Sequence, residues 1–176
     1  MSADSKLMEM LCGYAAAHQH PFNVAVHLVG IPTIMLGVFI PMTWLSFDLP
    51  GISVNLAHLT VLALFIFYWT LDWVFALAFL VIGMLVAQLA AMIGTLPPTL
   101  AWTASAAAFF GGYALQFVGH AVERSAPVIL KHPIQANLAA PFFTIVEVFH
   151  LVGVRNTLFT EVKSQVTAPG RTSASN

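Results

Sequence analysis

Charged residues are scarce in this sequence. Asp, Glu, Lys and Arg together make up 7% of the 176 residues, whereas hydrophobic residues make up 59%. A soluble globular protein typically contains about 25% charged residues, so this chain cannot cover a surface that faces water. The composition therefore excludes a soluble globular protein and predicts an integral membrane protein, with a length that suits a single domain.

Basic clusters and cysteine pairs are also missing. The formal net charge is −1 and no run of Lys and Arg appears, which excludes a basic face for nucleic acid. The single cysteine, Cys12, excludes an internal disulfide framework. The N-terminal stretch mixes Asp4, Lys6 and Glu9 instead of placing a basic region before an apolar core, so we expect no cleavable signal peptide.

Long apolar segments fill most of the chain. A membrane-spanning helix needs about 20 residues, and residues 24–44 and 100–119 each form one such segment. Residues 56–93 are too long for one crossing and are predicted to form two helices that meet near Asp72. Residues 45–55 are predicted to form a loop. The predicted fold class is therefore all-α, an integral membrane helical bundle with about four transmembrane helices.

The two ends of the chain differ from this bundle. We expect a helix at the N-terminus. Residues 134–152 are apolar but carry Glu147 and are predicted to be interrupted at Pro141, which favours a C-terminal interfacial or re-entrant helix over a further crossing. We assign residues 1–160 to a single transmembrane helical domain and residues 161–176 to a polar, flexible tail.

The distribution of Lys and Arg predicts the orientation in the membrane. None of these residues lies in a loop between the predicted helices, so the positive-inside rule places both termini in the cytoplasm. His27 begins the first helix and His120 ends the fourth, so the two lie at the same cytoplasmic depth, and Asp72 reaches the same side. The membrane is expected to be the bacterial inner membrane, or the endoplasmic reticulum in a eukaryote.

The first polar motif is "HQHPFNVAVH", from His18 to His27. The residue before a proline avoids the helical region, so Pro21 argues against one continuous helix through this stretch. A bend there brings His18 back toward His27, which regular helical spacing does not allow. Asn23 lies four residues before His27 and shares a helix face with it.

The second polar motif is "QFVGHAVERSAP". Gln116, His120 and Glu123 are spaced so that they form one polar stripe on a helix, and Gly119 allows a neighbouring helix to approach closely. Two further polar pairs follow later in the chain: Lys131 with His132, and Glu147 with His150.

Each of these residues also has a purely structural interpretation. A histidine near a membrane boundary can simply lie among lipid headgroups. His58 is interpreted as structural, and for His20 the structural and the functional interpretation are both open. Gln116 can join helices through hydrogen bonds, and Glu123 with Arg124 can form an ordinary solvated pair.

Four histidines from distant parts of the chain are nevertheless predicted at one membrane level: His18, His27, His120 and His132. Polar side chains within a membrane protein indicate function. Several imidazoles with carboxylates nearby suit Fe, Zn, Cu or Ni better than Ca or Mg. A metal-dependent enzyme, a metal or proton transporter and a non-catalytic membrane assembly protein are all open on this evidence.

The two motifs together resemble a known family. The pattern Y-x3-H-x4-N-x3-H-x4-P runs from Tyr14 to Pro32, and Q-F-x-G-H-x2-E-x3-P runs from Gln116 to Pro127. In combination they resemble the membrane-embedded, Fe(II)-dependent 2-hydroxy fatty acid dioxygenases first characterised in the yeast endoplasmic reticulum. The resemblance covers most of the chain before the predicted tail, although "VILKH" after Pro127 departs from the family pattern.

The resemblance implies that residues 1–160 form a catalytic domain. Its implied activity is α-oxidation of a 2-hydroxy fatty acid to the fatty acid one carbon shorter, with non-haem Fe(II) as cofactor and O2 as co-substrate. The implied partners are a 2-hydroxy long-chain fatty acid and membrane lipid, without nucleic acid, and homo-oligomer formation stays open.

The resemblance also implies roles for individual residues. It gives His18, His27 and His120 as metal ligands; His132, where the family pattern departs, is added because it is predicted at the same membrane level. The expected catalytic residues are Asn23, Gln116, Glu123 and Glu147, where either glutamate completes the metal's ligand set or fixes the second nitrogen of a histidine. Apart from the resemblance, Arg124 or Lys131 is expected to hold the substrate carboxylate at the membrane surface, and Tyr14 is added as a substrate-binding residue.

Overall fold

Helices dominate the computed structural model, which describes residues 8, 11–15, 18–130 and 133–167. Residues 11–15 are helical. The longer helices are α1 (Pro21–Met42), α2 (Leu56–Trp69), α3 (Trp73–Gly94), α4 (Pro98–Glu123), α5 (Pro133–Leu151) and α6 (Asn156–Thr167). Two strands, β1 (Ser46–Leu49) and β2 (Ile52–Asn55), lie between α1 and α2, and a short 3-10 helix covers Val128–Leu130.

Helix α1 begins where the sequence predicts a break. Pro21 occupies the first turn, where its missing N–H costs nothing, and the His20 ring caps the helix by accepting a hydrogen bond from the N–H of Phe22. The helix then continues through Pro32 and Pro41 to Met42. The prediction that His18 lies outside a continuous helix is confirmed.

Residues 46–55 form a β-hairpin, which corrects the predicted loop, while the described chain is otherwise mostly helical, as the predicted class requires. The strands are antiparallel, with Ser46 opposite Asn55. Gly51 has φ +84, and a proline followed by a glycine at positive φ is the pattern of a type II turn. Asn55 then caps α2 in a capping box with His58, which is the structural role predicted for that histidine.

Helices α2 and α3 meet at Asp72, as predicted. One carboxylate oxygen of Asp72 caps α3 by accepting from the N–H groups of Val74 (2.9 Å) and Phe75 (3.1 Å). The other oxygen accepts from Arg155 Nη1 at 2.6 Å, and the guanidinium lies 4.9 Å from the centre of the Phe75 ring. The turn between α2 and α3 is thereby tied to the segment that joins α5 to α6.

Helices α1 and α4 pack closely along small residues. A Cβ added at Gly37 would lie 2.5 Å from the backbone nitrogen of Phe109, and one added at Gly119 would overlap the side-chain oxygen of Asn23. Ser105 donates a hydrogen bond to the carbonyl of Gly37 at 2.7 Å. The close approach predicted for Gly119 is confirmed, and it holds His27 of α1 near His120 of α4.

Helix α5 crosses one end of the α2–α3 hairpin. Near its start, the carbonyl of Leu138 accepts from the Tyr68 hydroxyl at 2.7 Å. Near its end, Phe149 packs on Phe75 with ring centroids 5.1 Å apart. Tyr68 and Phe75 flank the same turn, so α5 packs across it, and the predicted interfacial or re-entrant placement of this helix stays a prediction. The helix is continuous through Pro141, which corrects the predicted interruption there.

Among the helices of the described residues, three (α1, α3 and α5) are long and apolar enough to cross a membrane. Helix α2 is shorter, with 14 residues, and the predicted number of about four crossings stays a prediction. Helix α6 extends to Thr167, past the predicted start of the polar tail at residue 161. Residues 168–176 lie outside the described part of the chain, so the division into domain and tail also stays a prediction.

Candidate metal centre

Three histidines lie together at one end of the bundle. His18, His27 and His120 each offer a ring nitrogen, and these ligand atoms all lie within 4.8 Å of one another. The ring centroids are 4.3 Å apart for His18 and His27, 4.9 Å for His18 and His120, and 5.0 Å for His27 and His120. All three side chains are buried. The prediction that these histidines meet is confirmed.

His18 is held against the N-terminal helical segment by Tyr14. The two rings stack with centroids 3.9 Å apart and planes 4° apart, and His18 Nδ1 lies 2.8 Å from the carbonyl oxygen of Tyr14. A carbonyl can only accept, so Nδ1 carries the proton and Nε2 keeps its lone pair. Burial and the nearby His27 ring lower the pKa of His18 to about 3, which keeps the imidazole neutral, as a metal ligand must be.

The other two histidines are oriented in the same way. His27 Nδ1 donates to the carbonyl oxygen of Asn23 at 2.8 Å, one helical turn earlier. His120 Nδ1 lies 2.9 Å from Ser125 Oγ, which stands just past the end of α4. In each histidine Nδ1 is engaged by an oxygen, so Nε2 is the nitrogen available to a metal.

Glu123 ties the segment that carries His18 to α4. Its carboxylate accepts from the backbone N–H of Gln19 at 2.6 Å and of His20 at 3.2 Å, and from the side-chain amide of Asn23. The carboxylate therefore caps the start of α1, where the helix dipole favours negative charge. Asn23 and Glu123, both expected to be catalytic, form this link beside the histidines.

An apolar cavity of about 470 Å³ opens onto the three histidines. Tyr14 and Gln116 line it beside His18, His27 and His120, so two residues predicted from the motifs share the cavity with the cluster. The remaining lining is mostly aliphatic and aromatic and comes from α1, α2, α4 and α5.

Glu147 lies on the other side of His18. Its buried carboxyl group faces a second cavity of about 390 Å³, which His18, His150 and Lys163 also line. His150 stacks on Phe159 with centroids 3.6 Å apart. A glutamate was predicted to engage the second nitrogen of a histidine. In the structure the carbonyl oxygens of Tyr14 and Asn23 and the Ser125 hydroxyl take this role instead. Among the described residues, neither Glu147 nor Glu123 joins the group that could hold a metal.

The remaining predicted residues are divided between the surface and the undescribed part of the chain. Arg124 is exposed and ends α4 with φ 58. Lys131 and His132 lie outside the described residues, so their predicted roles stay predictions.

Two features of the site were missed by sequence reasoning. Ser125 orients His120, and its signal was its position just after the polar stripe that ends at Glu123. Tyr113 donates to Asn137 Oδ1 at 3.1 Å and joins α4 to α5 at the edge of the cavity. That pairing has no sequence signal, because the two residues come from different helices.

The three histidines fit a transition metal. Among the described residues, His18 Nε2 is buried and has no hydrogen-bond partner, a costly arrangement that a metal ion would relieve. Neutral imidazoles suit Fe, Zn, Cu and Ni. Three ligands leave positions on the ion for other molecules, which is typical of catalytic metal sites.

Comparison with known proteins identifies the family. No curated protein and no solved structure matches the chain significantly. A family model described as 2-hydroxy-palmitic acid dioxygenase Mpo1-like matches residues 5–152, a range that includes His18, His27 and His120. The chain belongs to the 2-hydroxy-palmitic acid dioxygenase Mpo1-like family.

Proposed function

We propose that this protein is an Fe(II)-dependent dioxygenase that converts a 2-hydroxy fatty acid to the fatty acid one carbon shorter. The observation that carries the proposal is the position of three buried imidazoles, with Nε2 available, at one end of an apolar cavity. The family description supports the choice of reaction. In this reaction the bond between the first and second carbon atoms breaks: the second carbon becomes the new carboxyl carbon, the first leaves as CO2, and one O2 is consumed as the oxidant with formation of one water.

The chain's residues hold and shield the reacting groups. His18, His27 and His120 hold the iron, which when bound supplies the redox chemistry that O2 needs. A 2-hydroxy acid can chelate the same ion through its carboxylate and hydroxyl oxygens. Tyr14 and Gln116 line the cavity next to the histidines, so we assign them to positioning this head group. Arg124 and Lys131 stay proposals for holding the carboxylate.

The tryptophans support a transmembrane placement with this site near one surface. All four lie at helix ends: Trp44 and Trp102 pack together at one end, with centroids 4.7 Å apart, while Trp69 and Trp73 are exposed at the other. Tryptophan is enriched at both boundaries of a bilayer. The 22 residues of α3 span about 33 Å, which matches a hydrocarbon core of about 30 Å.

The metal cluster belongs to the end marked by Trp69 and Trp73. Asp72, between them, is bound to Arg155, and Glu123 and Arg124 end α4 at this level. We assign this end to the cytoplasmic side, where the positive-inside rule places Arg155 and Arg124. A fatty acid in the cytoplasmic leaflet would then present its head group at the depth of the histidines.

Oxygen consumption by purified protein tests the proposal. Protein stripped of metal is reloaded without air using Fe(II), Zn(II) or Mn(II) and is given 2-hydroxypalmitate, 3-hydroxypalmitate or palmitate. We expect O2 uptake and pentadecanoate, identified by mass spectrometry, with Fe(II) and 2-hydroxypalmitate alone. Iron-loaded protein that leaves 2-hydroxypalmitate unchanged in air would overturn the proposal.

A transporter is a weaker interpretation of the same cluster. Away from the histidines the cavity lining is largely apolar, with residues such as Ile31, Ile34 and Phe39, which provides no ligands for an ion crossing the membrane. Metal or proton flux into vesicles without turnover of a 2-hydroxy acid would favour the transporter.

A further inference from the structure

The apolar cavity extends far along the bundle from the histidines. On α1 it is lined from His27 to Phe39, and on α4, which runs in the opposite direction, from His120 to Phe109. At a rise of about 1.5 Å per residue, these stretches correspond to about 18 Å and about 16 Å. The cavity is therefore much longer than a hydroxy acid head group needs.

Residues from three helices mark the end of the cavity furthest from the histidines. Phe39 lines it there from α1 and Phe109 from α4. Thr60 lines the cavity from the half of α2 that is remote from Trp69, with Leu64 one helical turn nearer to Trp69. The Thr60 hydroxyl donates to the carbonyl of Leu56 at 2.9 Å, so its hydrogen-bonding capacity as a donor is already used inside the helix. This end of the cavity offers a surface that suits a terminal methyl group and suits no charged or strongly polar group.

We propose that the cavity is the acyl-chain site and that Phe39, Thr60, Leu64 and Phe109 determine the longest chain the protein accepts. The inference rests on the proposed function, because it takes the head group to lie at the histidines. The chain lies along α1 and α4, in the direction that it has in the surrounding bilayer. Chain-length specificity then depends in part on Phe39 and Phe109, which lie more than two helical turns along α1 and α4 from His27 and His120.

Thr60→Phe tests the inference by filling the far end. Activity is measured with 2-hydroxy acids of increasing length, from decanoic to eicosanoic. We expect kcat/KM to fall by about tenfold or more for the longest acids, since a single misplaced methylene in an apolar pocket costs at least about 10-fold, while the shortest acids react as with the wild type. Leu64→Ala enlarges the cavity one helical turn from Thr60 and is expected to shift the preference toward longer acids.

Thr103→Phe and Leu62→Ala are the matched controls. Thr103 makes the same kind of bond as Thr60, to the carbonyl of Thr99 at 2.8 Å, but it is exposed on α4 and does not line the cavity. Leu62 is exposed on α2 and is likewise outside the lining. We expect neither control to alter the chain-length profile. Unchanged profiles in Thr60→Phe and Leu64→Ala, with turnover intact, would overturn the inference and leave the proposed function standing.

Photo-crosslinking provides a second measurement that needs no turnover and no variant. Wild-type protein is irradiated with 2-hydroxypalmitate that carries a diazirine near its terminal methyl, and the labelled peptides are mapped by mass spectrometry. We expect label on Phe39, Thr60 or Leu64. Label confined to outward-facing residues such as Val81 and Leu85 would overturn the inference. Label at the far end of the cavity without any catalytic activity would support the acyl-chain site and overturn the proposed function instead.

Discussion

Gly119 lies against the side-chain amide of Asn23, so closely that a Cβ on Gly119 would overlap the amide oxygen. This contact sets the distance between α1 and α4 at the level of the metal cluster. His120 follows Gly119 directly, and His27 bonds through Nδ1 to the carbonyl of Asn23. The distance between His27 and His120 thus depends on the absence of a side-chain methyl group at residue 119.

Gly119→Ala should therefore weaken both stability and metal binding. Overpacking in a core costs about 1–3 kcal/mol, and displacement of Asn23 moves His27 away from His120. The control is Gly111→Ala on the same helix, where a Cβ would meet nothing within 4 Å. Thermal unfolding followed by tryptophan fluorescence, together with iron titration, checks this. Equal behaviour of the two variants would show that the helix contact is not tight.

Replacing His27 or His120 by Ala should abolish tight metal binding. Each change removes one of three nitrogen ligands, and even loss of a residue that only orients a ligand costs about 10–100-fold in affinity. The control is His20→Ser, because His20 caps α1 by accepting from the N–H of Phe22 and serine can replace that acceptor. Metal content per protein, measured by mass spectrometry, is the readout. Loss of metal from His20→Ser, or retention by His27→Ala, would place the site elsewhere.

Glu123→Gln should weaken iron binding without removing the site. In the wild type the Glu123 carboxylate accepts a hydrogen bond from the side-chain NH2 of Asn23. In the variant the NH2 group of glutamine would face that NH2 group, and two donors cannot form a hydrogen bond. The segment that carries His18 then loosens, and we expect the Kd for iron to rise about tenfold, with full occupancy restored at high iron. Glu161→Gln on α6, which is exposed, is the control. Failure to recover metal at any iron concentration would indicate that Glu123 is itself a ligand.

Asp72 has two roles that substitutions can separate. Asp72→Asn keeps the oxygen that caps α3 but loses the ion pair with Arg155, whose side chain is 37% exposed, so we expect a loss of at most about 1 kcal/mol. Asp72→Ala also removes the cap, which adds about 1 kcal/mol. Midpoints of thermal unfolding should fall in the order wild type, Asn, Ala. Equal midpoints for the two variants would assign the stability to the ion pair.

The ends of the apolar helices could be predicted from the sequence to within about four residues, whereas α6 was not predicted. Pro21 marks the start of α1 and Asp72 the turn between α2 and α3, because capping and the loss of a backbone N–H act within a few residues. The hairpin at residues 46–55 was missed because its strands have only four residues each, too few for an alternating pattern to distinguish them from a loop. The continuity of α5 through Pro141 was missed because neighbouring helices can support a proline within a helix.

The histidine cluster was within reach of sequence reasoning, since positive-inside orientation places His27 and His120 at one level. The groups that bind the second ring nitrogen of each histidine could not be predicted from the sequence. Ser125 reaches His120 only because Arg124 adopts a left-handed backbone at the helix end. The glutamates that the sequence suggested for this role lie elsewhere, Glu123 on the backbone of Gln19 and His20 and Glu147 beside the second cavity.

The sequence by itself determined that the chain is apolar, where most helices begin and end, and which polar residues carry the chemistry, because these properties depend on composition and on neighbours along the chain. The tertiary structure alone decided that three Nε2 atoms converge and that a long cavity starts at them. Both depend on how closely α1 approaches α4 and on how α5 crosses their end. That geometry comes from packing between residues such as Asn23 and Gly119, which are distant in sequence, and no local pattern encodes it.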